Sequence, residues 1–481
     1  MDKKPTWLLG LVGILLVVIV PIVVLRPKPA QPQDDPWAHL PKHQPHVDHS
    51  AIIQGPFETG QDVTKTCLSC HPDAAHDFMQ TSHWTWDSAK AFQIPGHDEP
   101  VHLGKLHSFN NFCIGTQGNQ RVCMTCHTGY GWTEEAYTDF SNPNNVDCLV
   151  CHADPNTYGR GAYGDPAEGV DLVAAAKSVR NPQRDNCLKC HAYGGGGDNV
   201  KHGDISSALY HPNPDLDVHM GEHDLQCTDC HRTEHHQIRG KLINLNYTVA
   251  PEDQVQCTDC HSNAPHEDER LNKHVESVAC QTCHVPEVAE VVPTKMTWDW
   301  STAGQDLPQD HFHYLKIKGT FHYEKNVVPT YLWFNGNESA RYVEGDPVNV
   351  GGVTYINKPA GSINDPTAKI FPFKIHRTMQ PYDKVYGYLL APLTAGKDGF
   401  WTNFDWDQAF RLAEPHTGLK YSGEYGFTET WMYWPLTHMV KPKEQALQCA
   451  DCHGPDGRMD WQALGYPGDP MEWGGRFDNN P

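Results

Sequence analysis

Between Trp7 and Leu25 the chain is almost wholly Leu, Val, Ile and Gly, interrupted by Pro21. At ~1.5 Å per residue this run gives roughly 28 Å of helix, enough to cross a bilayer core. Lys3 and Lys4 precede it, which also fits a secretory signal. The run is long for a signal core, however, and Arg26-Pro27-Lys28-Pro29-Ala30 follows it without a good small-residue cleavage site. An uncleaved N-terminal transmembrane helix over residues 1–25 is the expectation, with a cleaved signal as the alternative. Residues 26–60 are rich in Pro, Gln, Asp and His and have no apolar period, which predicts an extended linker. His39, His43, His46 and His49 fall within it, and a solvated stalk is the expected reading of that tract. Regular alternation appears late in the chain. Gly319-Thr-Phe-His-Tyr-Glu and Thr330-Tyr-Leu-Trp-Phe read as strands, with turns at Asn335-Gly336 and around Pro347 and Gly351.

Only 38% of the residues are hydrophobic, while Gly and Pro number 40 and 37. A chain of 481 residues with so little apolar content needs another source of core. The cysteines supply it. Sixteen of the 17 fall in Cys-x-x-Cys-His motifs. These are Cys67/Cys70/His71, Cys123/Cys126/His127, Cys148/Cys151/His152 and Cys187/Cys190/His191. The series continues with Cys227/Cys230/His231, Cys257/Cys260/His261, Cys280/Cys283/His284 and Cys449/Cys452/His453. Two thiols at this spacing reach the two vinyl groups of one porphyrin, and the adjacent histidine becomes the proximal iron ligand. A disulfide scaffold does not account for a histidine after every pair, and the spacings are not those of zinc fingers. Eight covalent haem c groups follow, and calcium is a further candidate cofactor.

The implied fold class is a multihaem cytochrome c, mainly α and irregular, haem-cored, with a mixed non-haem insertion. The expected organisation is an anchor (1–25), a linker (26–60) and a heptahaem region (61–284). An aromatic-rich insertion packed on the haem core (285–448) and the eighth haem with its tail (449–481) complete it. Covalent haem attachment occurs outside the bacterial cytoplasm, so the haem domain is expected in the periplasm or beyond. The net charge of −22 argues against a nucleic-acid partner.

Thirty-one histidines leave 23 after the proximal set. Candidate distal ligands are His83, His219, His223, His235, His236, His266, His274 and His438, each set against a plain surface role. Cys113 lies outside every motif, ten residues before the second one; it is either close to that porphyrin or a buried inert thiol. Four glycines at 194–197 let the backbone approach a bulky group. Asp198, Lys201 and His202 follow. Lys201 is a candidate iron ligand if burial keeps it deprotonated, and a surface lysine otherwise.

Several stretches resemble the octahaem tetrathionate reductase family. They include Thr66-Cys-Leu-Ser-Cys-His, Ser82-His-Trp-Thr-Trp, Asn110-Asn-Phe-Cys, Asn145-Val-Asp-Cys-Leu-Val-Cys-His and Gly194 to Lys201. Gln380-Pro-Tyr-Asp and His438-Met-Val-Lys-Pro-Lys-Glu-Gln-Ala-Leu-Gln-Cys belong with them. The resemblance spans about residues 60–460 with all eight motifs in order. It implies an active second haem with proximal His127, distal Lys201, and Cys113 and Asp198 beside the iron as catalytic residues. It also implies reduction of tetrathionate, nitrite or hydroxylamine, with Asp198 as proton donor and Cys113 open to thiol exchange with a sulfur substrate. The anchor and stalk depart from a freely soluble form.

A purely electron-transferring cytochrome, serving as a conduit or as the redox partner of a quinol oxidase or of small cytochromes, is the competing class. Hydroxylamine oxidation is a third, for which Tyr466, the only tyrosine after the last motif, gives no support. Intact-mass measurement should show the polypeptide plus eight haem masses, with Cys113 outside every thioether; a seven-haem mass would remove at least one motif from the reading.

Overall fold

The computed structural model describes residues 35–476, apart from 89, 90, 106, 108, 114, 135 and 241–253. The expected membrane helix over residues 1–25 and the linker up to residue 34 lie outside the described residues. Among those described, no helix is long and apolar enough to cross a membrane.

Around the first seven motifs the backbone is a succession of turns and short helices. Gly60–Leu68 and Arg184–His191 are the longest there, at nine and eight residues. The recurring Gln-Cys-x-Asp-Cys sequence explains one local shape. The backbone N–H groups of Gln226, Gln256 and Gln448 donate to Asp229, Asp259 and Asp451 at 2.6, 3.0 and 2.6 Å. That bond closes a single turn and sets the two cysteines on one face of it. Apolar clusters near the motifs are small, such as Trp86, Met124 and Trp132, or Leu188, Ala192, Leu209, Leu216 and Met439.

Most regular structure lies between the seventh and eighth motifs. A hairpin of β1 (Thr233–Glu234) and β2 (Gln237–Ile238) precedes it. Then come β3 (Thr294–Asp299), β4 (Tyr314–Leu315), β5 (Gly319–Glu324), β6 (Thr330–Phe334) and β7 (Glu338–Arg341). They are followed by β8 (Val353–Tyr355), β9 (Asn357–Pro359), β10 (Lys369–Asp383) and β11 (Tyr425–Pro435). β5 and β6 are the two strands expected from alternation. Seven strands form one mixed sheet in the order β4-β5-β3-β10-β11-β8, with β6 also pairing β10. β10 pairs β11 antiparallel along the whole of β11. The helix Trp406–Thr417 packs Trp406, Ala409, Phe410 and Ala413 inward, and Trp298, Trp300, Phe321 and Phe400 join it in the largest apolar cluster.

One face of β10 carries Lys374, His376, Thr378 and Gln380 at period two, with Trp434, Met432, Thr430 and Thr428 opposite them on β11. All eight are buried. A polar row is tolerated inside because each member grips a loop. Lys374 Nζ donates to the carbonyls of Val200 and Lys201 at 2.9 and 3.2 Å and to Thr294 Oγ1 at 2.5 Å. Asn111 Nδ2 donates to the carbonyls of His376 and Thr430 at 2.8 and 3.2 Å, and its Oδ1 lies 3.1 Å from His376 Nδ1. Thr378 Oγ1 and Gln380 Nε2 donate to the carbonyls of Asn111 and Asn110 at 3.0 and 2.8 Å. The sheet therefore clamps the loop bearing Cys113 and the loop bearing Lys201 on the same face.

Asn111→Ala should cost about 1–3 kcal/mol by leaving buried carbonyls unpaired. Thermal unfolding of the holoprotein should start at lower temperature, and an unchanged transition would remove Asn111 from the clamp.

Candidate functional site

Seven motif histidines each face a second histidine across a nearly constant gap. Ring centroids are 6.1 Å apart for His71 and His49, 6.4 Å for His152 and His236, and 6.2 Å for His191 and His83. The spacings are 6.3 Å for His231 and His438, 6.2 Å for His261 and His219, 6.3 Å for His284 and His266, and 6.4 Å for His453 and His274. Their interplanar angles run from 14° to 79°. Distance is fixed while rotation is not, which distinguishes a shared axis from ring stacking. Two imidazole nitrogens each ~2 Å from one metal ion, plus the depth of both rings, give this separation. The residues present thus fit haem iron held between paired histidines.

Several of these rings are oriented through Nδ1, which leaves Nε2 for the metal. Nδ1 of His152 and His231 lies 3.1 and 2.8 Å from the carbonyls of Arg180 and Arg239. Nδ1 of His274 lies 2.7 Å from the carbonyl of Arg270. Asp469 holds His453 Nδ1 at 2.6 Å and accepts the Gly454 N–H at 2.6 Å. Asp204 accepts the backbone N–H groups of Thr437 and His438 at 2.7 and 2.9 Å and sits 3.2 Å from His438 Nδ1.

Two expected ligands are placed elsewhere. His223 packs edge-on against Trp37 at 4.5 Å, and neither it nor His235 faces a motif histidine. His235 is exposed, 3.2 Å from Asp77. Its neighbour His236 turns inward to His152. His49, read as part of a solvated stalk, faces His71. The linker's last residues return to the domain, where His43 Nε2 also meets Asp229 at 2.6 Å.

His127 differs from the other seven. Trp86 lies against its ring at 4.5 Å, and among the described residues no histidine faces it at the common spacing. Its backbone is fixed by Arg160, whose Nη1 donates to the His127 carbonyl at 2.5 Å and whose Nη2 donates to Gly129 at 2.6 Å. Arg160 Nε lies 3.1 Å from Asp147, which accepts the hydroxyls of Tyr130 and Tyr158 at 2.7 and 2.9 Å. Lys201 and Lys105 act electrostatically on His127. The Lys201 ammonium lies 5.2 Å from the Phe112 ring centroid and 4.9 Å from that of Trp434. Burial, with the charge of Lys105 adding to it, pushes the Lys201 amine down to about 7. An amine in that range offers a lone pair near neutral pH.

The glycine stretch makes this approach possible. A Cβ on Gly194 would stand 3.2 Å from Lys201 Cδ. Gly195 has φ +86, and a Cβ there would come within 2.9 Å of Phe112. The loops of Lys201 and Cys113 therefore touch directly. Cys113 joins the apolar cluster of Phe112, Val200 and Trp434, and it lies within electrostatic range of Cys123. Asp198 is engaged otherwise: Ser207 N–H donates to Oδ1 at 2.9 Å and Ser207 Oγ donates to Oδ2. Oδ1 thus holds the first N–H of the Ser207–Tyr210 turn and Oδ2 holds the hydroxyl of the same serine, which fixes the carboxylate beside that turn. For calcium, no group of three or more His, Cys, Asp or Glu among the described residues is arranged to hold a metal ion.

Motif cysteines also adjoin one another. Cys67 lies beside Cys148, Cys126 beside Cys190, Cys187 beside Cys227, and Cys257 beside Cys280. Cys151 is in range of Cys187 and Cys190, Cys230 of Cys260, and Cys283 of Cys449. The motifs thus run in the spatial order one, three, four, five, six, seven, eight, with the second branching from the fourth.

In the first motif the helix Gly60–Leu68 turns Gly60, Val63 and Thr64 inward and ends before Cys70. The Cys70 N–H then donates to the Cys67 carbonyl at 3.1 Å, which closes the turn between the two cysteines.

Comparison with known proteins agrees with this geometry. Residues 295–456 match the family described as bacterial cytochrome c, and residues 213–293 match cytochrome c7 and related cytochrome c. An uncharacterized protein of Archaeoglobus fulgidus is 27% identical over 247 residues, covering 40% of this chain and 80% of that protein. The crystal structure of an octaheme cytochrome c from Shewanella oneidensis superposes with a TM-score of 0.83 at 44% identity. That match covers 91% of this chain and 99% of the other.

Replacing His49 or His236 by Ala should each turn one low-spin haem signal high-spin in electron paramagnetic resonance. His223→Ala and His235→Ala should leave the spectrum unchanged; the reverse pattern would overturn the pairing.

Proposed function

This chain belongs to the octahaem c-type cytochromes of the tetrathionate reductase family, and from that premise we propose a membrane-tethered periplasmic reductase with eight covalent haem c groups. Its substrate is a small sulfur or nitrogen compound, tetrathionate, nitrite or hydroxylamine, taken at the site of His127 and Lys201. The observation that carries the reading is the contrast at His127: among the described residues no histidine faces it at the spacing found for the other seven motifs, and the buried Lys201 amine lies within electrostatic range. Haem c held there by Cys123, Cys126 and His127 would supply the electrons and an iron at which a weaker ligand could exchange.

The chain's own residues fit such a site. Arg160 and Trp86 fix the proximal histidine, and the clamp from Lys374 and Asn111 sets the distal loops. Lys201 is the exchangeable ligand, and the Cys113 thiol adjoins the distal space. The tether rests on the Trp7–Leu25 run, and a periplasmic haem domain on the chemistry of haem attachment. Electrons enter from a redox partner, a quinol oxidase or a small cytochrome, and reach the second site through the fourth.

Seven closed histidine pairs and the unbroken succession of motif cysteines favour a second reading, an electron conduit with no catalytic iron. Nitrite and cyanide titrations separate the two. In the reductase reading, Lys201→Leu opens one haem to these ligands, leaves the other seven spectra intact, and alters turnover of tetrathionate or nitrite. A variant with unchanged spectra and ligand binding would refute the Lys201 assignment and leave the conduit.

A further inference from the structure

The facing histidines are not held alike. Nδ1 of His152, His231 and His274 meets a backbone carbonyl, a neutral acceptor. Two rings meet a carboxylate instead. Asp469 Oδ1 stands 2.6 Å from His453 Nδ1, and Asp204 Oδ2 stands 3.2 Å from His438 Nδ1, with Thr437 Oγ1 equally near. Among the described residues, no other ring of the seven pairs has an acid within ion-pair distance.

Neither carboxylate can turn away. Asp469 Oδ2 accepts the Gly454 N–H at 2.6 Å, and Oδ1 also accepts the Met471 N–H at 2.9 Å. Asp204 is 1% exposed, and the same oxygen that meets His438 accepts the N–H groups of Thr437 and His438. The opposite ring of each pair is fixed as well, His274 by the Arg270 carbonyl and His231 by that of Arg239. Capping these turns needs only the bonds to backbone N–H groups. In both acids the ring contact comes in addition, and it lies on the side of the ring away from the metal.

An Nδ1–H that donates to a carboxylate leaves more negative charge on its imidazole than one donating to a carbonyl. The remaining nitrogen then binds iron more strongly in its higher charge state, and such bonding is one lever on a haem potential. The longer bond of Asp204 is offset by its burial, where a charge is little screened.

We propose that Asp204 and Asp469 set potentials, holding the fifth and eighth haems below their neighbours in the series. The motifs run one, three, four, five, six, seven, eight, with the second branching from the fourth. A low step at the fifth divides this row into two electron pools. The first, third, fourth and second sites form one pool, and the sixth and seventh form the other, bounded at its far end by the eighth. This goes beyond the reductase reading and holds equally for a conduit.

Potentiometric titration of the full-length holoprotein, followed optically and by electron paramagnetic resonance, tests it. Asp469→Asn and Asp204→Asn each keep an acceptor oxygen and remove the charge. In each variant, one component should show an oxidised-to-reduced ratio about tenfold lower at a fixed potential, ~59 mV upward for a one-electron couple. The other components should stay within about twofold. Ring planes identify the haems. The pair His453 and His274, crossed at 79°, should give a strongly anisotropic low-spin signal, and His231 and His438, at 21°, a rhombic one. Asp469→Asn should move a signal of the first kind and Asp204→Asn one of the second, while Asp469→Glu should stay near the wild type. Unmoved midpoints would overturn the proposal. So would loss of a low-spin signal with every midpoint unchanged, because the acid would then only place its ring. If the Asn variants do not assemble eight haems, the wild-type titration decides. The two components reduced last should be one signal of each kind, and any other order would overturn the assignment.

Discussion

Two nitrogens on one axis, a metal's width apart, form the constraint from which most of this structure follows. Seven pairs of imidazole rings meet it within a few tenths of an ångström, although they come from turns, short helices and loop ends. No regular secondary structure supplies such spacing. The backbone around the motifs is accordingly cut into single turns, each ending where a ring reaches its partner. Carboxylates and carbonyls behind the rings, such as Asp469, Asp204 and the carbonyl of Arg239, fix the ring faces. The small apolar clusters between motifs belong to the same economy, since porphyrin discs form much of the interior.

The sheet answers a different demand. Among the described residues His127 faces no second histidine, and the amine proposed for that site sits on a glycine-rich loop that needs outside support. β10 and β11 provide it through a buried polar row. Lys374 holds the Lys201 loop, and Asn111, gripped by His376, Thr378 and Gln380, holds the Cys113 loop. A rigid sheet thereby positions loop-borne groups with the precision of a strand.

Much of this was legible in the residues. The Cys-x-x-Cys-His repeats, the glycine stretch before Lys201 and the alternation of Gly319–Glu324 and Thr330–Phe334 each carry a local rule. Distal histidines carry none. His236 and His235 are adjacent and chemically identical, and only the turn between β1 and β2 decides which faces inward. His49 sits in a Pro- and His-rich tract whose composition reads as solvated, and its role depends on the chain returning to His71. Asp198 stands at the spacing the resemblance marks, but no local rule shows that Ser207 holds both of its oxygens. The polar row on β10 was hidden for a related reason: Lys374, His376, Thr378 and Gln380 would mark a solvent face, and their burial depends on loops far away in sequence.

The ligand pairs also span very different lengths of chain. His49 and His71, or His266 and His284, close loops of about 20 residues, whereas His231 and His438 close one of about 200; the added loop-closure entropy is only ~2 kcal/mol. Time separates them more than energy does. On a chain emerging from its N-terminus, the short pairs can close soon after synthesis. The fifth motif must wait for the whole β-sheet and for Asp204 to turn His438 inward. Assembly of the fifth site is therefore contingent on the fold of the insertion, and so is passage through the middle of the series. A cytochrome truncated before β11 would bear most of its haem groups and still be broken as a wire.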